Sequence, residues 1–342
     1  MALPESSAKA RPMKSASQAQ GYPRLLADVG GTNVRFASQF TANGPLQQTG
    51  TYACADFESL CDAICHHLWR EGLARPRSGA IGIATPVTGD HIRMTNHAWT
   101  FSIKAMREAL GLQRLLVLND FSALALALPA LHADARWQVG AGVAVAGAPI
   151  ALIGPGTGLG VSGLLPSMDG GGLVPLGGEG GHVTLSSYDP DEQAVLNILQ
   201  RRFGHVSAER ALSGPGLENL YLALAQLHGV RVETLLAHQV TAAALACSDA
   251  IAEAAVGLFC SLLGAAAGNL ALTLGARGGV YIGGGIVPRL GPSFADSKFR
   301  QSFEAKGRFR AYLSEIPSYV VRCSEQAALQ GACRALDLDM AH

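Results

Sequence analysis

Two glycine turns, and the Asn119-Asp120 pair between them, are the parts of this chain best suited to chemistry. The first turn is Asp28-Val29-Gly30-Gly31-Thr32-Asn33, and the second reads Gly-Pro-Gly-Thr-Gly-Leu-Gly from Gly154 to Gly160. Glycine lacks a Cβ, so such turns can bring backbone N–H groups against a phosphate. Thr32 and Thr157 each add a hydroxyl. Neither turn has the Gly-Lys-Ser/Thr of a P-loop. The second also fails the G-x-G-x-x-G dinucleotide spacing, because position 159 is Leu, and a strand-like run follows it where that motif needs a helix. One such turn alone reads as a tight β-turn. Two of the same chemistry around one carboxylate point to nucleotide phosphates presented to a base.

Other residues join this set, each with a plainer alternative. Asp28 ends an apolar strand and could hold Mg²⁺ beside the phosphates, directly or through water; otherwise it caps its own turn. Asp120 follows Leu115–Leu118 at a strand's C-terminal edge, where α/β proteins bind ligands, and could take a proton from an attacking hydroxyl. Its alternative is an N-cap for the next helix. In Gly177-Gly178-Glu179-Gly180-Gly181-His182, Glu179 and His182 could hydrogen-bond vicinal hydroxyls of a sugar, or simply be solvated in a loop. Glu209 is a further acidic candidate, or else an exposed helical Glu paired with a nearby Arg. Gly283-Gly284-Gly285 could let a base or ribose lie on bare backbone, or be an ordinary loop cluster.

The elements that must position these residues follow from apolar patterning. Leu25–Phe40 reads as a hairpin, Thr49–Ala53 as a strand, Phe57–Gly72 as a helix and Gly79–Pro86 as a buried strand. His91–Thr95 is a short strand, and Ser102–Leu110 a helix bounded by Ser and Gly111. Leu115–Leu118 is a strand, and Phe121–Leu128 a helix. The order then echoes itself, with strands at Val143–Val145, Ala151–Ile153 and Val161–Leu165, helices from Asp191, and a late strand at Val280–Ile282. Ala254–Ala276 is uncharged and long enough to span a bilayer, yet it is only mildly hydrophobic and lacks flanking basic clusters, so a buried helix is expected.

Lys plus Arg and Asp plus Glu balance at 26 each, which gives no reason to expect nucleic acid or a membrane surface as partner. Seven scattered cysteines argue against a disulfide framework and suit a reducing cytoplasm. Cys61, Cys65, His66 and His67 lie on one amphipathic helical stretch without a second ligand pair, so no zinc is expected there. Residues 1–20 are Ser-, Ala-, Lys- and Gln-rich and are expected to be a disordered extension.

Taken together, the segments ADVGGTNVR from Ala27, MTNHAWTF from Met94, LNDF from Leu118, GPGTGLGV from Gly154, GEGGHV from Gly178, HVSAERALSGPG from His205 and GGVYIGGGIVPR from Gly278 resemble the bacterial ATP-dependent glucokinases of the hexokinase/actin-like ATPase superfamily. The resemblance covers nearly all of the chain after the first 20 residues, and the ordered set is far more specific than any single glycine motif. It implies glucose binding by Asn119, Asp120, Glu179, His182 and Glu209, with Asp120 as catalytic base. It implies phosphate binding by Ala27, Asp28, Val29, Gly30, Gly31 and Thr32 and by Gly156, Thr157 and Gly158, and adenosine near Gly283, Gly284 and Gly285. ATP and Mg²⁺ would be required. A related repressor/kinase family carries a cysteine-rich zinc motif after its Gly-His segment. No Cys stands between His182 and Glu209, which places the chain in the zinc-free branch.

The expected architecture is two α/β domains of the actin/ribonuclease-H-like type with a cleft between them. Residues 21–130 plus 324–342 would form the smaller and 131–323 the larger. The expected reaction is transfer of the ATP γ-phosphoryl group to the 6-hydroxyl of glucose, the entry to glycolysis, by a cytoplasmic homodimer. A kinase for fructose, mannose or an N-acetylhexosamine is the nearest alternative. A sugar sensor without catalysis and an actin-like ATPase are disfavoured by Asp120 and by the Glu179, His182 and Glu209 set.

Overall fold

The computed structural model describes residues 21–167, 172–187 and 189–339; the expected extension at 1–20 lies outside them. The first half is built on Arg24–Val29 (β1), Asn33–Gln39 (β2) and Gln47–Ala53 (β3), then Leu60–Arg70 (α1) and Ser78–Ile83 (β4). A small ribbon, His91–Arg93 (β5) with Thr100–Ser102 (β6), leads into Ile103–Ala109 (α2), Arg114–Asn119 (β7) and Asp120–Ala127 (α3). The sheet order is β3-β2-β1-β4-β7. β1 and β4 pair in parallel at the sheet's middle and are buried at every position, as two-sided coverage of parallel strands requires. Register sets Val29 beside Ile83 and Ile83 beside Asn119, so the first glycine turn and the Asn119-Asp120 pair leave one edge together.

The second half runs Arg136–Val139 (β8), Ile150–Pro155 (β9), Leu159–Pro166 (β10) and Leu173–Leu176 (β11). Helices follow at Pro190–Phe203 (α4), Gly214–Leu227 (α5), Ala237–Leu245 (α6) and Ala250–Leu274 (α7). Val280–Ile282 (β12) precedes Ile286–Leu290 (α8), Pro292–Ala295 (α9), Phe299–Glu304 (α10) and Arg310–Ser314 (α11). Ser318–Val321 (β13) and Ser324–Asp339 (α12) close the fold. The sheet order is β11-β10-β9-β12-β13-β8. Ile153 pairs beside Ile282, so the second glycine turn and Gly283–Gly285 also share an edge.

The strand expected at Val143–Val145 is absent. Both valines are exposed, and their N–H groups donate to Glu315 and Arg277 outside any strand ladder, so they bury no apolar face in a sheet. The edge position goes to β8, paired with β13. The apolar stretch ending near Ala276 is α7, a core helix buried at every position from Phe259 to Ala265. An added Cβ at Gly264 or Gly268 would strike the carbonyls of Phe299 and Phe303, so these glycines allow α10 to pack against it.

Two helices join the halves. α3 is apolar on all sides and, as such helices must be, is covered on all sides; it touches β4 and β7 of one sheet and β10 and β11 of the other. α12 leaves the second sheet after β13 and packs on α3, β1 and β4. Arg24, fully buried on β1, pairs with Asp337 at 2.7 Å and fixes that return.

Candidate active site

Asn119 and Asp120 divide two tasks that sequence alone leaves to one residue. Asn119 is the N-cap of α3, its Oδ1 accepting the N–H groups of Phe121 and Ser122. Its amide donates to Asp120 Oδ1 at 2.9 Å. Asp120, half-buried, is thereby spared as the cap. Burial pushes its carboxyl up to about 6; the nearby Glu179 adds to the rise, while the Phe121 N–H and the Asn119 amide pull against it.

Asp28 lies on the same edge and is 9% exposed. Burial and the Asp120 charge raise its carboxyl to about 7, with Arg35 opposing at 3.4 Å. It therefore answers to a cross-strand Arg rather than capping its own turn. The first turn is closed by Gly30 N–H to Asn33 O at 2.9 Å, which leaves Thr32 exposed at its tip.

The second turn reaches Asp120 through its neighbour. Phe121 lies flat on the β9–β10 hairpin, where a Cβ at Gly160 would overlap its ring. The turn is drawn in by Gly156 N–H to Gly158 O, while Gly156 O accepts from Gly214 at the head of α5, both at 2.8 Å. A Cβ on Gly284, whose φ is +77°, would run into Pro155 O, so Gly283–Gly285 sits directly against this turn.

Glu179 and His182 are exposed on the glycine loop, 3.9 Å apart. Ala208 N–H donates to Val183 O at 2.8 Å and Leu185 N–H to Val206 O at 2.9 Å, binding this loop to the segment carrying Glu209. Glu209 is not an exposed, Arg-paired Glu: it is half-buried and accepts the Leu159 N–H at 2.8 Å.

Two cavities flank the set. One of about 590 Å³ is lined by Arg93, Met94, Thr95, His97, Ala98 and Thr100. It adjoins Asn119 through Thr85, whose hydroxyl meets Thr95 Oγ1 at 3.0 Å and whose carbonyl lies 3.5 Å from the Asn119 amide. The other, about 210 Å³ and mainly apolar, lies between α5, α6 and α8, lined by Leu217, Ala237, His238, Thr241, Ala242, Leu245, Ile286 and Arg289.

Sequence reasoning missed this second lining, although Ala237, Thr241 and Leu245 recur at helical spacing. It also missed the links made where α12 begins. Glu325 pairs with Arg35 at 2.8 Å, and Ser324 Oγ accepts the Gly284 N–H at 3.1 Å. The start of α12 thus ties Arg35 on β2 to Gly283–Gly285. Among the described residues no cluster of three or more His, Cys, Asp or Glu forms a metal site.

Two α/β halves, each carrying a glycine turn at the edge of its own sheet, with Asp28, Asp120 and Glu209 beside those turns, define an actin-like phosphotransferase of the sugar-kinase type. The chain belongs to the Glucokinase family, whose profile matches residues 25–338. It is 55% identical over 317 residues to the glucokinase of Aromatoleum aromaticum, covering 92% of this chain and 95% of that one. A crystal structure of glucokinase from an Antarctic psychrotroph matches with a TM-score of 0.83 at 35% identity, covering 92% and 98% of the two chains. A glucokinase from Balamuthia mandrillaris, solved in complex with glucose, shares the fold at 21% identity and a TM-score of 0.73, covering 93% and 96%.

Proposed function

We propose that this chain transfers the γ-phosphoryl group of ATP to the 6-hydroxyl of D-glucose, giving glucose 6-phosphate and ADP. Family membership supports the reaction. The observation that carries the chemistry is Asp120: one half-buried carboxylate, pushed up to about 6, on the sheet edge that carries the first glycine turn and next to Phe121, which lies on the hairpin of the second.

In this reading Asn119, Glu179, His182 and Glu209 hold the sugar hydroxyls, and Asp120 receives the 6-hydroxyl. As the oxygen–phosphorus bond forms, Asp120 takes the hydroxyl proton, and the bond to the bridging oxygen breaks with its electrons leaving on ADP. Backbone N–H groups of Ala27–Thr32 and Gly156–Gly158 cradle the phosphates, and their fixed dipoles face charge that builds up in the transition state. Adenosine lies along Gly283–Gly285, with the apolar cavity between α5, α6 and α8 beside it.

A Mg²⁺ ion fits the donor set. Asp28 is buried, and the charge of the half-buried Asp120 helps to raise its carboxyl; a divalent cation beside Asp28 would relieve that repulsion. Bound there with the nucleotide, it would offset charge on the phosphoryl oxygens. Asp28 would hold it, directly or through water. We divide the chain into residues 21–130 plus 324–342 and residues 131–323, because α12 returns to the first sheet. Closure of the two parts would exclude water as a competing acceptor. The family resemblance extends this reading to a homodimer. The free thiols, Cys65 and Cys247 among them, fit a reducing cytoplasm.

ADP release measured across glucose, fructose, mannose and N-acetylglucosamine tests the proposal. The highest kcat/KM is expected with glucose. Sugar-independent ADP release, or a higher kcat/KM with another of the four sugars, overturns it.

A further inference from the structure

We infer that Glu209 serves both substrates, bracing the second phosphate turn with one carboxylate oxygen while the other is left for the sugar. The inference rests on the assignment of Glu209 to the sugar site. Its Oε2 accepts the Leu159 N–H at 2.8 Å, one residue past the Gly156–Gly158 segment. Leu159 is itself 6% exposed, so the bond lies at a buried point of the turn. The approach depends on Gly158, because a Cβ there would stand 2.5 Å from Oε2.

Both partners are anchored on the head of α5. Gly214 N–H donates to Gly156 O at 2.8 Å, and Ser213 Oγ donates to Glu209 O at 2.8 Å. The Glu209 backbone and the turn are therefore held by adjacent residues, and the carboxylate bridges the gap between them. A sugar that orients Glu209 also sets the position of the turn. By reciprocity, a nucleotide that settles the turn orients Glu209 for the sugar.

Gly158 is the handle that separates this from a purely sugar-binding Glu209. Its φ is not among the positive ones, so Gly158→Ala fits the backbone, and the new methyl meets only the movable end of Glu209. Affinities for glucose and for a non-hydrolysable ATP analogue would be measured separately by calorimetry. Gly158→Ala is expected to weaken glucose binding about tenfold in nucleotide-free enzyme, and to have no further effect in a Glu209→Ala background. Without sugar, Glu209→Ala is expected to weaken the ATP analogue by a similar factor. Glu209→Gln, which keeps an oxygen for the Leu159 N–H, should leave that affinity near the wild-type value.

If Glu209→Ala weakens glucose but neither it nor Gly158→Ala moves the affinity for the other substrate, the bridge is wrong and the sugar assignment stands. If Glu209→Ala leaves glucose binding unchanged, the sugar assignment itself falls and the inference with it.

Discussion

Asn119 donates its side-chain amide to the Asp120 carboxylate at 2.9 Å while its own Oδ1 caps the helix that Asp120 begins. Capping and proton acceptance are thereby assigned to neighbouring residues. The cap holds α3 in place, α3 is wedged between the two sheets, and Asp120 sits at its head facing the glycine turns.

That position has a stability signature. An Asp carboxyl raised from 3.8 in the unfolded chain to about 6 in the fold makes ionisation costly. The cost is absent below the unfolded value and fully present above the folded one. Asp120→Asn should therefore make the ligand-free protein more stable than wild type at pH 7.5, by on the order of 1–3 kcal/mol. The gap should close as pH falls toward about 4, read from urea midpoints. The buried His67, whose pKa is lowered mainly by burial, works in the opposite direction, but it is common to both proteins and cancels.

The same ionisation sets the pH dependence of catalysis. Only the carboxylate form accepts a proton, so kcat/KM for glucose should fall as pH drops through about 6. Added charge relief from bound Mg²⁺-nucleotide should move the midpoint in kcat lower. A profile flat from pH 7.5 to 5 would exclude Asp120 as the titrating base.

The Phe121–Gly160 contact can be probed by overpacking. Gly160→Ala forces its methyl into the Phe121 ring and should cost about 1–3 kcal/mol with a loss of kcat, since Phe121 is joined to Asp120. Phe121→Leu should restore part of both losses in the double variant. A strictly additive cycle, in stability and in kcat, would show that the two residues do not meet.

Arg24 offers a test of how α12 docks. Its guanidinium side chain is 0% exposed, whereas Asp337 is 55% exposed. Asp337→Ala would leave a buried cation without its carboxylate and should destabilise by on the order of 2–4 kcal/mol, discounted for the exposure of Asp337. Chemical denaturation would measure the loss. An unchanged midpoint would mean that the Arg24–Asp337 pair contributes nothing to the docking of α12.

The sequence was most legible where chemistry is carried by contiguous segments. The two glycine turns, Asn119-Asp120, the Glu179–His182 loop and Gly283–Gly285 each declare themselves within a few residues; parallel register then brings the first turn beside Asn119-Asp120 and the second beside Gly283–Gly285. Links that span the chain were not legible. Arg35 meets Glu325 across 290 positions, and Glu209 meets Leu159 across 50, and no local pattern encodes either. The strand expected at Val143–Val145 failed for a related reason. Short apolar runs look alike, and only the distant β13 decides that Trp137, rather than Val143, lies in the sheet.

The most direct test is turnover and glucose affinity in Asp120→Asn. Loss of the base predicts a kcat lower by on the order of 10²–10⁴-fold, with glucose Kd changed only a few-fold because the amide still hydrogen-bonds the hydroxyl. Turnover close to wild type would contradict the assignment of Asp120 as the group that takes the proton from the sugar.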